Sequence, residues 1–209
     1  MHIFYENLFN RSFLTYCWPI YFGGLISFGA TNIDYFLVTS FMGQEKLGFY
    51  WMAFSLSGVI LILRDITTRI MLPILSMQDS NEMKISIFDD LNGLIQLFSV
   101  FSAILVTYWS SYFFNIILGE KWTDSILLFI FLYYAAVFKL SGGLCGALLF
   151  SVMKTKVALN SSLIGLLILT PVIYITVKTG VLEYVALGVL LSSILINLII
   201  FETSVKDLC

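Results

Sequence analysis

The chain has 209 residues, 59% of them hydrophobic and only 11% charged, with a formal net charge of −2. That composition lies outside the range of soluble globular domains, so membrane spans rather than domains are the unit to count. It also excludes a nucleic-acid binder, because no stretch clusters the Lys and Arg that a phosphate backbone requires.

A bilayer-crossing helix takes about 20 mostly apolar residues. Six runs qualify, over 13–41, 48–75, 92–118, 125–153, 157–177 and 181–201. The expected fold is therefore an all-α integral membrane protein, a single six-helix transmembrane bundle over 1–209. Residues 1–11 are mixed and polar, and the first apolar run lacks a small-residue cleavage site, so it reads as a retained span rather than a signal peptide. Within it Asp34, in Thr-Asn-Ile-Asp-Tyr, is too short to snorkel far. Three readings stay open for it: a proton or cation site, a hydrogen-bonded helix contact, or an interfacial residue if the span starts late.

The second span contains Leu-Ile-Leu-Arg-Asp-Ile-Thr-Thr-Arg-Ile-Met-Leu-Pro. Asp65 and Arg69 are four apart on one helical face and are expected to form a structural ion pair. Arg64, about 100° round the helix from Asp65, is left in excess and needs another partner, a water-filled cavity or an anionic ligand. The connector 77–90 places Met83, Ile87 and Phe88 at helical spacing, which fits an interfacial amphipathic helix or an ordinary solvated connector. Trp18, Trp51, Trp109 and Trp122, with Tyr50, Tyr108 and Tyr112, fall towards span ends as an aromatic belt does.

Lys139 interrupts the fourth span. Counted from Thr123 it lies about 24 Å into the membrane, and Arg64 counted from Gly48 lies about as deep. Two cations at similar depth on different helices would make a cationic cavity; the alternative is that both snorkel to the near interface. Gly142 and Gly146 form a G-x-x-x-G pair and Ser161 with Gly165 repeats the spacing, as packing seams. Pro171 is placed to kink the fifth span. Arg11, Lys84, Lys154, Lys156 and Lys206 outnumber Lys46, Lys121 and Lys178 across the membrane, which puts both termini in the cytoplasm.

Cys17, Cys145 and Cys209 show no C-x-x-C or His spacing and read as small buried hydrophobes rather than metal ligands or a disulfide. The single His2, and the lack of a Gly-rich phosphate loop, an H-E-x-x-H or a nucleophile elbow, argue against an enzyme; no metal and no cofactor is expected.

Three stretches carry a family resemblance: Asn32-Ile33-Asp34-Tyr35-Phe36-Leu37-Val38 followed by Met42-Gly43-Gln44-Glu45-Lys46-Leu47-Gly48-Phe49-Tyr50; Met71-Leu72-Pro73-Ile74-Leu75-Ser76; and Ile117-Leu118-Gly119-Glu120-Lys121-Trp122. In this order they resemble the polysaccharide biosynthesis membrane proteins, the lipid-linked oligosaccharide flippases of O-antigen type, within the multidrug/oligosaccharidyl-lipid/polysaccharide exporter superfamily. The resemblance runs from about residue 12 to 200 and is to the C-terminal bundle only, half of a pseudo-symmetric exporter fold. It implies flipping of undecaprenyl-pyrophosphate-linked repeat units for surface polysaccharide, including lipopolysaccharide O-antigen, across the bacterial inner membrane. A cation-coupled small-molecule exporter of the same superfamily, or an inactive or accessory half-transporter, are the alternatives. Under the resemblance Arg64 and Lys139 are candidate substrate-binding residues and Asp34 a candidate coupling or gating carboxylate. The implied partners are the bilayer, the lipid-linked oligosaccharide and a second transmembrane bundle, either a missing N-terminal half or a second copy. Met1 fits either a short product or a truncated gene.

Overall fold

In a computed structural model, which describes residues 11–206, the chain is helical almost throughout. His2 and Cys209 lie outside the described residues. The helices are α1 (Arg11–Met42), α2 (Gln44–Gly58), α3 (Leu61–Ser76), α4 (Asn81–Phe113), α5 (Ser125–Ser151), α6 (Thr155–Val177) and α7 (Leu182–Lys206). A π-helical turn, Phe114–Leu118, and a short 3-10 turn, Glu120–Trp122, join α4 to α5. Among the described residues five helices are long and apolar enough to cross a membrane, with α2 and α3 together forming one of them, Gln44–Ser76. α1 is long enough at 32 residues but is diluted by Thr31, Asn32, Asp34, Thr39 and Ser40. The protein is a multi-pass membrane protein.

The turns are set by backbone chemistry. Gly43 (φ 85°) separates α1 from α2, and Gly180 (φ 75°) separates α6 from α7, conformations that cost glycine little. Between α5 and α6 the same left-handed position falls on Met153 (φ 59°). There the Lys154 N–H donates to the Leu149 carbonyl at 2.9 Å and the Met153 N–H to that of Phe150 at 3.2 Å, a Schellman closure.

Two expectations are corrected. The second span is not one regular helix: at Val59–Ile60 the N–H groups of Val59, Ile62 and Leu63 donate to Leu56, Val59 and Ile60, so three-residue turns interrupt the ladder. The Ser57-Gly58 pair directly before the break is a recognised weak point. The connector 77–90 is neither an interfacial helix nor a loop. It is mostly the first turns of α4, started by Ser80, whose hydroxyl accepts from the Met83 N–H at 3.3 Å, with Glu82 in the first turn. Phe88 is buried there while Met83 is 54% exposed, so the two do not share a buried face.

α5 is the centre of the bundle and packs on α7, α3, α2 and α4; α1 packs mainly on α6, and α6 on α7. The larger core, including Val38, Tyr50, Leu128, Ile173 and Val185, fills the end of the bundle near Gly43 and Gly180. A smaller one, including Met71, Leu75, Phe88, Leu144 and Cys145, joins α3, α4 and α5 towards the other end. The expected Gly142/Gly146 seam is also corrected. A Cβ on either would meet nothing within 4 Å, whereas one on Gly143 would lie 2.4 Å from Arg64 Cγ and 3.1 Å from Thr68 Oγ1. Gly143 is the residue that lets α3 approach α5. Gly165 does face a neighbour, Ile196 of α7, at 3.6 Å.

Candidate functional site

Between α1, α3, α5, α6 and α7 lies a cavity of about 650 Å³. α1 supplies Ser27 and Thr31; α3 supplies Arg64, Asp65, Thr68 and Arg69; and α5 supplies Lys139 with the open faces of Gly142 and Gly146. Four charges that fall inside apolar runs, Arg64, Asp65, Arg69 and Lys139, thus share one space, three cations against one carboxylate. α1 and α3 both line the cavity yet pack on different neighbours, α6 and α5. It opens between them, where the Asp65 side chain is 57% exposed.

The expected pairing of Asp65 with Arg69 is wrong. Asp65 Oδ1 instead accepts from Arg64 Nε at 3.0 Å and Arg64 Nη2 at 2.9 Å. Adjacent residues on a helix ordinarily diverge, but the Arg64 stem lies over Gly143 and its guanidinium turns back along the helix onto the next carboxylate. Arg64 is therefore not the excess cation. Among the described residues Arg69 and Lys139 are the cavity cations without an ion pair or a side-chain hydrogen bond. Lys139 is partly exposed and lies within electrostatic reach of Arg64 and Asp34.

The hydroxyls around these charges mostly spend their protons on their own helices. Thr31 Oγ1 donates to the Ser27 carbonyl and Thr68 Oγ1 to the Arg64 carbonyl, both at 2.8 Å. Ser27 Oγ donates to Ser162 Oγ at 3.1 Å, tying α1 to α6. Asn197 of α7 donates to the Phe138 carbonyl beside Lys139. The donors left for an anion are accordingly the cationic groups and the Ser193 hydroxyl, which lines the cavity without a hydrogen-bond partner among the described residues.

Asp34 stands apart from the cavity, 3% exposed in the larger core. Its Oδ2 accepts from the Tyr50 hydroxyl at 2.6 Å and its Oδ1 from the Tyr35 N–H at 2.9 Å. Of the three open readings, the hydrogen-bonded helix contact is the one that the geometry contains. Tyr50 was missed as a partner because its position near a span end reads as belt; it is fully buried, unlike Trp18, Trp51 and Trp109. The signal available was the pair itself, a carboxylate and a phenol on consecutive helices joined by one Gly. Gly143 was missed because the spacing rule favours Gly142 and Gly146. Among the described residues no group of three His, Cys, Asp or Glu is placed to hold a metal ion.

A family model described as "Polysaccharide biosynthesis protein" matches residues 8–127, more than half of the chain. The matched stretch contains Asp34, Arg64, Asp65 and Arg69 and ends before Lys139, so it is shorter than the 12–200 over which the resemblance was read. No curated protein and no solved structure matches the chain.

Proposed function

The chain belongs to the polysaccharide biosynthesis protein family, and from that premise we propose that it translocates a pyrophosphate-linked oligosaccharide lipid across the bacterial inner membrane. Family membership places it in polysaccharide synthesis or export. The finer reading rests on one observation: Arg64, Arg69 and Lys139 converge on a single cavity with only Asp65 to offset them. Unpaired cations within membrane spans are costly unless they face water, protein or a ligand. A pyrophosphate offers strong acceptor oxygens, and charge-assisted bonds to it strengthen where water is scarce.

In this reading Lys139 is the point charge that attracts the phosphate. Arg64, held by Asp65 through one edge of its guanidinium, presents its remaining N–H donors. Asp34 with Tyr50 is the gate at the packed end of the bundle, where α1 and α2 would separate when access alternates. The lateral opening between α1 and α3 exposes Asp65 and Arg69, a surface that lipid does not satisfy. A second transmembrane bundle supplies the opposite wall, as in repeat-built transporters with a midplane site. Both termini are cytoplasmic.

Arg64→Ala and Lys139→Ala, each in the otherwise intact system, are expected to abolish surface polysaccharide while leaving the membrane level of the protein unchanged. Normal glycan in both variants would overturn the assignment. A drug-accumulation response with normal glycan would instead identify a small-molecule exporter.

A further inference from the structure

We propose that a second crevice on the same cleft binds a saccharide ring of the transported lipid. It has a volume of about 470 Å³ and is lined by Asn32 and Tyr35 of α1, Trp51, Ser55 and Gly58 of α2, and the helix break at Val59. This assignment rests on the transport reading above and extends it to a part of the substrate that the cationic cavity does not address.

Position comes first. Tyr35 lies one turn beyond Thr31 on α1, and Ile62, which also lines the crevice, shares a helical face with Asp65 and Arg69 at spacings of three and seven. The two spaces are therefore strung along one cleft between α1 and the α2–α3 span, the crevice on the side of the larger core. Trp51 lies thirteen residues before Arg64 on the same span, about 20 Å along it, so a ligand with its phosphates at Arg64 and Lys139 brings a later sugar of its chain, not the first, to Trp51.

Chemistry comes second. Trp51 is 52% exposed and Tyr35 39%, and their indole N–H and phenol have no hydrogen-bond partner among the described residues; nor has the Ser55 hydroxyl. Asn32 spends its amide N–H on the Phe28 carbonyl at 2.8 Å, which leaves its amide oxygen as an acceptor. Aromatic faces beside unspent donors and an acceptor suit a sugar, whose C–H faces stack and whose hydroxyls both donate and accept. Hydrocarbon satisfies only the rings.

The third observation is the break itself. Irregular backbone at membrane depth is tolerated where it borders a cavity or protein, and interrupted spans commonly mark a transporter's binding site. Here the interruption at Val59–Ile60 borders the crevice and falls one turn before Arg64.

The test is equilibrium binding to the full chain in nanodiscs. The probes are a polyprenyl pyrophosphate and the same lipid bearing a linear trisaccharide of hexose, of N-acetylhexosamine or of 6-deoxyhexose, long enough to span the distance to Trp51. At least one sugar-bearing lipid should bind about tenfold tighter than the bare pyrophosphate, the scale of one stacking contact plus one hydrogen bond. Trp51→Ala should erase that increment and leave affinity for the bare lipid unchanged, Trp51→Phe should keep part of it, and Asn32→Ala should reduce it. Arg64→Ala should weaken all four lipids alike. Equal binding of all four to the unaltered chain overturns the saccharide site but leaves the anion cavity standing; no binding of the bare pyrophosphate removes both. If Trp51→Ala weakens the bare lipid as much as the glycosylated ones, the crevice holds an acyl chain and the proposal fails.

Discussion

Tyr50 and Asp34 show what a single residue decides in this bundle. The phenol is the side-chain donor to a carboxylate buried between α1 and α2, so Tyr50→Phe leaves Asp34 with only the Tyr35 amide. Thermal unfolding in detergent should report a loss of about 1–3 kcal/mol, the usual cost of stranding a buried polar group. Met153 is the converse case: an L-residue with a Cβ occupies the left-handed position of a Schellman turn. Met153→Gly is expected to raise stability by about 1 kcal/mol, read by the same unfolding assay. The sites of the charges were legible in the sequence because a charge inside an apolar run stands out against a hydropathy background. Their pairing was not, because periodicity says which residues share a face and not which way an arginine side chain folds. Arg64 reaches Asp65 only because Gly143 leaves room for its stem.

At the level of helices, the regular runs were legible and the irregularities were not. α1, α5, α6 and α7 follow from unbroken hydropathy closed by turns at Gly43, Met153 and Gly180. The break at Val59–Ile60 leaves composition unchanged, so a hydropathy reading passes straight over it. The start of α4 was missed for the opposite reason: its first turns are polar, yet Ser80 caps them into the helix that follows. Helix packing makes a sharp prediction at the α3–α5 contact. Gly143→Ala forces a Cβ to 2.4 Å from Arg64 and should cost about 1–3 kcal/mol by overpacking. Gly142→Ala and Gly146→Ala meet nothing within 4 Å and should raise thermal stability by about 0.5–1 kcal/mol, the helix-propensity gain of alanine over glycine. Equal effects at all three positions would mean that α3 does not sit against α5 at Gly143.

For the whole molecule, the charges form a system only because α3 and α5 bring theirs to one cavity. Depth counting placed Arg64 and Lys139 at a common level, but the opening between α1 and α3, with Arg69 and Asp65 at its mouth, depends on which helices pack together. That is a tertiary fact: α1 pairs with α6 and α3 with α5, and no sequence period encodes the gap. The matched family segment ends before Lys139, so the α5 contribution to the cavity rests on geometry alone. The decisive measurement is ligand protection of a thiol in that space. In a chain with Cys17→Ser, Cys145→Ala and Cys209→Ser, Gly142→Cys puts the sole thiol on the cavity wall, where there is room for it. The thiol should react with a small water-soluble maleimide and be protected by polyprenyl pyrophosphate but not by neutral polyprenol, with the protection lost in Lys139→Ala. An unreactive thiol, or equal protection by the neutral lipid, would contradict an anion-binding cavity.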